Sequence, residues 1–265
     1  MEYRRLHFSR KDQLIALLSR RCDKLVYTCR HGLIRGMRRR GGLGFLPAFL
    51  ASAETPEARF LRSLPLQGKV VYDVGAFVGL LTLFFARQAK QVVAYEPNPP
   101  SYARARENVA LNGLSNVQLR NLAVGSEAAV LTLAYDPLMP GAASGADAVR
   151  TQIQETAAST LSASVRVVRL DDDARDAGLP APDLMKIDVE GMELAVLQGA
   201  AGLLKAHPAL YIELHGSDAE NKRANARAVI DFLRAHGYRK FLDVEAGALV
   251  SPEQVDRPSH LYVTF

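Results

Sequence analysis

The residues with the clearest chemical potential surround a glycine turn between residues 73 and 79 of this 265-residue chain. A β-branched run ends at Asp73, Gly75 permits a tight turn close to a ligand, and Gly79 precedes an apolar helix. Glu96 follows Gly75 by 21 residues, at the end of the next predicted strand. At that spacing a carboxylate accepts hydrogen bonds from both hydroxyls of a bound ribose. The segment therefore predicts a nucleoside site.

Two classes of nucleoside cofactor share this geometry. A dinucleotide places its pyrophosphate on the helix N-terminus and needs a glycine where this chain has Phe77. The charge of Asp73 would also repel a diphosphate, whereas it suits a ligand with an ammonium group and no phosphate. S-adenosyl-L-methionine, which carries an amine, a sulfonium, a ribose and an adenine, is such a ligand. We therefore predict this methyl donor, and the alternatives are a dinucleotide site or a simple turn with a solvated Glu96.

A second group of polar residues stands at the ends of two apolar predicted strands. Lys186, Asp188 and Glu190 are each two residues apart, so they can share one face at the carboxyl edge of the sheet. The next strand repeats the arrangement with Glu213 and His215. A histidine beside a carboxylate is a candidate general base near neutral pH. The spacing therefore predicts a catalytic pocket at this edge.

These residues also have other interpretations. Glu190 could be a favourable charge at its helix N-terminus, and Lys186 could simply pair with Asp188. A divalent metal could instead bind four of the groups, namely Asp188, Glu190, Glu213 and His215. Nothing in the sequence fixes their geometry, and we expect no metal.

The composition narrows the class of protein. With 48% hydrophobic and 23% charged residues, the chain is typical of a globular protein, and mainly disordered chains are excluded. Its two cysteines exclude a disulfide scaffold and a four-cysteine zinc site.

The surrounding pattern predicts an α/β domain over residues 51–265. Apolar strand-like runs alternate with helical segments, which implies right-handed crossovers and a doubly wound parallel sheet with helices on both faces. The predicted strands are 69–73, 91–95, 117–122, 130–133, 165–170, 184–187, 209–214, 239–243 and 261–265, and the predicted helices are 56–64, 80–88, 101–111, 190–206 and 218–236. The Ala-, Gly- and Ser-rich segment 135–163 is a candidate lid.

The first 50 residues differ from the rest in charge. They hold 12 Lys and Arg against three acidic residues, whereas the remainder has 21 basic and 25 acidic residues. Apolar residues at helical spacing predict a basic amphipathic helix over residues 11–35. This helix could pack on the main domain, contact a membrane surface or a partner, or bind nucleic acid. Without a membrane-length apolar run or a signal core, we expect a cytoplasmic protein.

Over residues 55–265 the motifs resemble the FkbM family of S-adenosylmethionine-dependent methyltransferases. The most specific block is MKIDVEGME at 185–193, followed by LQGA at 197–200. Blocks shared with class I methyltransferases in general are YDVGAFVG at 72–79 and AYEPNP at 94–99, and further matches are NVALN at 108–112 and AVG at 123–125. The resemblance implies a mostly parallel, seven-stranded Rossmann-like sheet with a reversed last strand at 261–265, and an N-terminal helical extension lies outside it.

The resemblance also implies cofactor-binding residues in four groups. They are Asp73, Gly75, Ala76 and Gly79 around the methionine moiety, Glu96 and Asn98 at the ribose, Asn121 and Ala123 at the adenine, and Asp188 and Glu190 facing the methyl group. Phe77 departs from the small polar residue that is common in the family, which would remove one contact to the donor.

The implied reaction is methyl transfer to an oxygen, often a hydroxyl of a sugar, a polyketide or another secondary metabolite. We interpret His215 or Glu190 as the base that takes the hydroxyl proton, with Asp188 and Glu213 orienting the substrate or the base. The expected acceptor is a small molecule or a glycan. An RNA methyltransferase is the alternative enzyme, although the acids at this edge would repel a nucleic-acid backbone. A methyltransferase fold with an inactive pocket is the non-enzymatic alternative.

Overall fold

The computed structural model describes residues 21–41, 54–136, 139–144, 161–216, 218–250 and 260–265. The strands are β1 (Val26–Thr28), β2 (Arg38–Arg40), β3 (Val70–Val74), β4 (Gln91–Tyr95), β5 (Val117–Arg120), β6 (Ala123–Val124), β7 (Ala129–Asp136), β8 (Met139–Ser144), β9 (Leu161–Val168), β10 (Leu184–Ile187), β11 (Ala209–Glu213), β12 (Lys240–Asp243), β13 (Ala248–Leu249) and β14 (His260–Thr264). The α-helices are α1 (Pro56–Ser63), α2 (Leu80–Ala86), α3 (Pro99–Leu111), α4 (Leu170–Asp176), α5 (Glu193–Gly199) and α6 (Ala219–Ala235), and a 3-10 helix spans Leu203–Ala206.

A central sheet of eight strands organises the molecule. Its order is β13-β12-β14-β11-β10-β3-β4-β5, and the five strands from β11 to β5 are parallel. Strand β14 runs antiparallel to both of its neighbours, β11 and β12. The predicted α/β class with a mostly parallel sheet is confirmed. The two-residue strand β13 extends the sheet beyond the seven strands that the resemblance implies.

The central strands are buried, and most of their side chains are apolar on both faces. Every residue of β3 and β10 is buried, and alternate residues of β3 belong to different clusters, with Tyr72 in one and Val71 in the other. The register places Lys186 of β10 directly beside Asp73 of β3. Because parallel strands end at one edge of a sheet, the loops that follow β3, β4, β10 and β11 meet there.

Helix α5 begins three residues later than predicted. The predicted helix 190–206 is divided into α5 and the 3-10 helix. Glu190 and Gly191 have φ values of 50° and 95°, which lie in the left-handed region and cannot belong to an α-helix. Helix α6 begins where predicted because the Asp218 side chain accepts a hydrogen bond from the Asn221 backbone amide.

A second sheet of four strands, in the order β6-β9-β7-β8, covers the carboxyl edge near the cavity described below. Strands β7 and β9 pair antiparallel over seven residues each, from Ala129–Val167 to Tyr135–Leu161. Part of the predicted lid 135–163 therefore belongs to β7, β8 and β9. Residues 137–138 and 145–160 of that prediction lie outside the described residues.

The predicted helix 11–35 is wrong for residues 26–35. Strands β1 and β2 form an antiparallel hairpin in which Val26 pairs with Arg40. Gly32 and Gly36 between them have φ values of 78° and 86°, which no α-helix accommodates, and Val26–Thr28 has high β propensity. Residues 11–20 of the prediction lie outside the described residues.

The hairpin packs on helix α3 through backbone-to-side-chain hydrogen bonds. The Arg40 amide donates to Asn108 Oδ1 at 2.9 Å, and the Arg38 amide donates to Asn112 Oδ1 at 2.8 Å. Its apolar side chains join the cluster beneath one face of the central sheet: Tyr27, Cys29, Ile34 and Met37. A membrane or partner contact through the basic N-terminus stays a prediction. Among the described helices, none has the length and apolar character needed to span a bilayer.

Candidate active site

A cavity opens at the carboxyl edge, between the loops of the central sheet and the second sheet. The loops after β3, β4 and β10 contribute Gly75, Phe77, Glu96, Pro97, Asp188, Val189, Glu190 and Met192, and the strand ends contribute Val74 and Tyr95. The opposite wall is apolar and consists of Leu122, Ala123, Val124, Leu131, Leu133 and Val167. The charged residues of this lining are all acidic.

The glycine turn is held against two neighbouring loops. Gly75 has a φ of 83°, and a Cβ at this position would lie 1.7 Å from the Asp188 carbonyl oxygen. The Gly75 and Ala76 amides both donate to the Tyr95 carbonyl, at 3.0 and 2.9 Å. Gly79 has a φ of 82° as the residue before α2. The turn therefore needs glycine at position 75 both for its conformation and for space.

Glu96 presents a buried carboxylate to the cavity. Its side-chain oxygens accept hydrogen bonds from the Phe77 amide at 2.7 Å and from the Asn98 amide at 2.8 Å. Burial raises the pKa of Glu96 to about 7, although these two amides act in the opposite direction. Each oxygen retains a second lone pair, so the carboxylate is positioned to accept hydroxyl protons from a ligand.

The backbone amide of Phe77 still binds Glu96, although its side chain differs from the small polar residue that is common in the family. Its amide donates to Glu96 from a left-handed backbone with a φ of 51°. The ring lines the cavity and is 40% exposed. The departure therefore changes what the turn presents to a ligand and leaves its hydrogen bond to Glu96 intact.

Asp73 lies beneath the cavity and not in its lining. It is fully buried, accepts a hydrogen bond from Thr82 Oγ1 at 2.5 Å, and lies 3.1 Å from Lys186 Nζ. The same ammonium group donates to the Gly75 carbonyl at 2.6 Å and lies 3.3 Å from Asp188. Burial lowers the pKa of Lys186, but Asp73 and Asp188 outweigh it and raise the value. The role of Asp73 in binding the methionine moiety stays a prediction.

Both predicted asparagines lie beside the loops of the cavity, and the side chain of Asn121 supports them. Asn98 is buried at the start of α3. Asn121 Nδ2 donates to the Glu96 and Pro97 carbonyls, at 2.8 and 3.0 Å. Neither asparagine lines the cavity, whereas Ala123 does. The adenine end of the predicted site is therefore formed mainly by apolar side chains.

His215 lies among four carboxylates next to the cavity. Its Nδ1 atom is 2.7 Å from Glu193 Oε1, and its Nε2 atom lies 3.5 Å from Glu213, 3.7 Å from Asp188 and 3.9 Å from Glu190. Burial lowers the pKa of His215, but the hydrogen bond to Glu193 and the nearby acids outweigh it and raise the value to about 11. In this arrangement the ring is positively charged at neutral pH.

The predicted catalytic residues are thus brought together, but not all of them face the cavity. Asp188 and Glu190 line it, whereas Glu213 and His215 stand behind Asp188. An oxygen of Asp188, an oxygen of Glu213 and a ring nitrogen of His215 lie within 4.8 Å of one another, close enough to hold a metal ion.

The sequence interpretation assigned no role to Glu193. This side chain is fully buried, and its second oxygen accepts a hydrogen bond from Asn225 Nδ2 at 2.6 Å. The Gly191 amide donates to its first oxygen at 3.0 Å. The signal was its position inside the most specific block, at 185–193, and only the fold shows that it orients His215.

The family model described as "Methyltransferase FkbM domain" matches residues 73–240, which contain every one of these site residues. The chain belongs to the FkbM methyltransferase family. In this FkbM-family chain, the block 185–193 contributes the cavity residues Asp188 and Glu190 and the buried residues Lys186 and Glu193.

Three curated relatives of this FkbM-family chain carry methyltransferase names. Methyltransferase sdnD of Sordaria araneosa is 36% identical over 153 residues, which cover 49% of this chain and 59% of the relative. The 31-O-demethyl-FK506 methyltransferase FkbM of Streptomyces tacrolimicus is 32% identical over 158 residues, covering 50% and 59%. The hexuronic acid methyltransferase AglP of Haloferax volcanii is 29% identical over 146 residues, covering 55% and 56%. The chain thus spans less than three fifths of the length of each relative.

Proposed function

We propose that the protein transfers the methyl group of S-adenosylmethionine to a hydroxyl oxygen of a small-molecule or glycan acceptor. One observation carries this proposal: the charged side chains that line the cavity, Glu96, Asp188 and Glu190, are all acidic. An acidic lining attracts a cationic nucleoside and repels the pyrophosphate of a dinucleotide.

Three parts of the cavity lining support this choice of methyl donor. Glu96 is positioned to accept the two ribose hydroxyls, since its carboxylate is already fixed by the Phe77 and Asn98 amides. The apolar wall that includes Leu131 and Val167 would cover the adenine. Asp188 and Glu190 would lie at the charged end of the donor. When bound, the donor supplies an activated methyl carbon on a sulfonium.

Glu190 is the base that the geometry favours. The acceptor hydroxyl must lose its proton as the new oxygen–carbon bond forms, and a positioned base supplies roughly 10²–10⁴-fold in rate. Glu190 lines the cavity, whereas His215 lies behind it and contacts the cavity acids through Nε2. His215 therefore positions Asp188 and Glu190, and the carboxylate of Glu190 accepts the proton.

The acceptor class is inferred from chemistry and from the relatives. The names of FkbM and AglP specify a hydroxyl position of FK506 and a hexuronic acid, respectively. Both are oxygen-rich small molecules or sugars, and we transfer only that class to this chain. A nucleic-acid acceptor is disfavoured because its phosphates would approach Asp188 and Glu190.

Binding of the donor is the direct test. Calorimetric titration of the full chain with S-adenosylmethionine should give saturable binding, whereas the dinucleotide NAD should give none. Incubation with methyl-labelled donor and a panel of sugars and hydroxylated metabolites should then label an oxygen of one class. Binding of NAD in place of the donor would overturn the proposal.

Replacing Glu96 with glutamine should weaken donor binding by at least about tenfold, because one charged acceptor of the ribose hydroxyls is lost.

In the wild type, affinity should fall as pH decreases below about 7, since Glu96 takes up a proton there and ceases to be a charged acceptor. Calorimetry between pH 5.5 and 8.5 measures both effects (roughly one pH unit or more on each side of that pKa). The Glu96→Gln variant should lose this pH dependence, and the exposed-site control Asp176→Asn should retain it. Equal affinity of wild type and Glu96→Gln would remove Glu96 from the site.

Replacing Glu190 with glutamine should lower turnover at saturating donor by about 10²–10⁴-fold, because the variant keeps its shape but cannot accept the proton. Donor affinity should fall much less, because Glu96 and Asp188 keep the lining acidic. Initial rates with labelled donor, at saturating donor, measure the effect. The matched variant His215→Gln distinguishes the two candidate bases. Loss of turnover in His215→Gln together with normal turnover in Glu190→Gln would instead assign the proton to His215.

A further inference from the structure

Three side chains beside the cavity have the spacing of a metal-binding set. One oxygen of Asp188, one oxygen of Glu213 and a ring nitrogen of His215 lie within 4.8 Å of one another. The Nε2 atom of His215 is 3.7 Å from Asp188 Oδ1 and 3.5 Å from Glu213 Oε1. Ligands that hold one cation at about 2.0–2.2 Å are separated from each other by roughly 3–4 Å. A single ion between these atoms can therefore contact all three.

The orientation of His215 is the one that a metal ligand requires. Its Nδ1 atom is 2.7 Å from Glu193 Oε1, so Nε2 is the nitrogen that points toward Asp188 and Glu213. Glu193 is fully buried and is itself fixed by Asn225. In metal sites a carboxylate on the second ring nitrogen fixes the tautomer and orients the ring. The set therefore contains a nitrogen ligand with its supporting carboxylate, and not acidic residues alone.

The charges around these atoms also favour a cation. Lys186 lies 3.3 Å from Asp188, but it is shared with the buried Asp73. Glu213 lies 3.4 Å from His260, which is shared with Glu245. The ring of His215, positively charged at neutral pH, is a further cationic group beside both acids, and an incoming metal ion would have to replace its Nε2 proton. Each of these cationic partners of Asp188 and Glu213 is nevertheless shared with another acid in the part of the chain that the structure describes. A divalent ion would compensate their charge.

We propose that Asp188, Glu213 and His215 bind a divalent metal ion at the edge of the cavity. Two carboxylates and one imidazole suit an ion such as Mn²⁺, and Mg²⁺ is the competing ion that prefers the same oxygen ligands. This site revises the expectation of no metal. The use of this ion in catalysis rests on the proposed function: the ion would coordinate the acceptor hydroxyl and lower its pKa, and Glu190 would take the proton.

The experiment measures Mn²⁺ binding to the full chain by electron paramagnetic resonance, without donor or acceptor. The wild type should bind one Mn²⁺ per chain, and added Mg²⁺ should displace it. Pulsed measurements should detect coupling of the bound ion to a nitrogen, as expected for His215. Asp188→Asn and Glu213→Gln should each weaken binding by about tenfold or more, whereas Asp176→Asn, which removes an exposed acid on α4, should bind as the wild type does.

Absence of a saturable Mn²⁺ site in the wild type would overturn this proposal, even if a variant fails to fold. Bound Mn²⁺ without nitrogen coupling, or equal affinity in Asp188→Asn, Glu213→Gln and the wild type, would also overturn it. These readouts do not depend on methyl transfer. A chain that binds Mn²⁺ but not S-adenosylmethionine would contradict the proposed function alone.

Discussion

Replacing Gly75 with alanine should abolish measurable donor binding and lower the free energy of unfolding by about 2–5 kcal/mol. The left-handed backbone at φ 83° penalises any side chain, and the new methyl group would lie 1.7 Å from the Asp188 carbonyl oxygen. Since that atom belongs to the backbone, the loop after β10 must move, and it carries both Asp188 and Glu190. Urea unfolding and calorimetry with S-adenosylmethionine measure the two effects.

Gly113 offers a matched control. It also has a left-handed backbone, with a φ of 60°, but a Cβ there would meet no atom within 4 Å. Gly113→Ala should therefore lose only the conformational part, about 1–2 kcal/mol, and should bind the donor as the wild type does. If both variants lose the same free energy of unfolding and both still bind the donor, the close contact between Gly75 and Asp188 does not shape the site.

Replacing Lys186 with methionine should lower the free energy of unfolding by about 3–5 kcal/mol, because it leaves the charge of Asp73 buried without its cation. Asp73 is fully buried, and it would keep the hydrogen bond from the hydroxyl of Thr82. The double variant Asp73→Asn with Lys186→Met removes both charges and should recover part of the loss. Urea unfolding of the three proteins gives the values.

The ion pair between Lys69 and Asp183 provides the control. Its two side chains lie 3.0 Å apart but are both exposed, so Lys69→Met should cost less than about 1 kcal/mol. Lys186 would not compensate the buried charge of Asp73 if Lys69→Met and Lys186→Met lost similar free energies of unfolding. The same would follow if the double variant recovered none of the lost free energy.

The glycine turn and Glu96 were predictable because local signals determine them. A strand, a glycine that needs an unusual φ, and an acid at the end of the next strand all follow each other along the chain. The partner of Asp73 was harder to predict, because the contact with Lys186 depends on strands β3 and β10 being neighbours, although the two residues are 113 positions apart in the sequence. The sequence placed both residues at one sheet edge, but only the register shows that they neutralise each other below the cavity.

The N-terminal prediction failed for a different physical reason. Apolar residues spaced three and four apart suit one face of a helix, but two of them, Cys29 and Leu33, instead pack on the core from a hairpin. The two glycines with left-handed φ decide between the two structures, and their conformations are not visible in the hydrophobic pattern. The contact between Glu193 and His215 could not be predicted from the sequence either, because it depends on where the start of helix α5 lies relative to the end of strand β11.

The hairpin has a practical consequence for anyone who divides this chain into fragments. Asn108 Oδ1 accepts a hydrogen bond from the Arg40 amide, and Asn108 Nδ2 donates one to the Val78 carbonyl, both at 2.9 Å. One side chain thus links the β1-β2 hairpin to the turn that carries Gly75. A fragment cut at the limits of the family match, 73–240, would discard this fastening together with the strand that holds Glu213 in register, so expression boundaries belong well outside those limits.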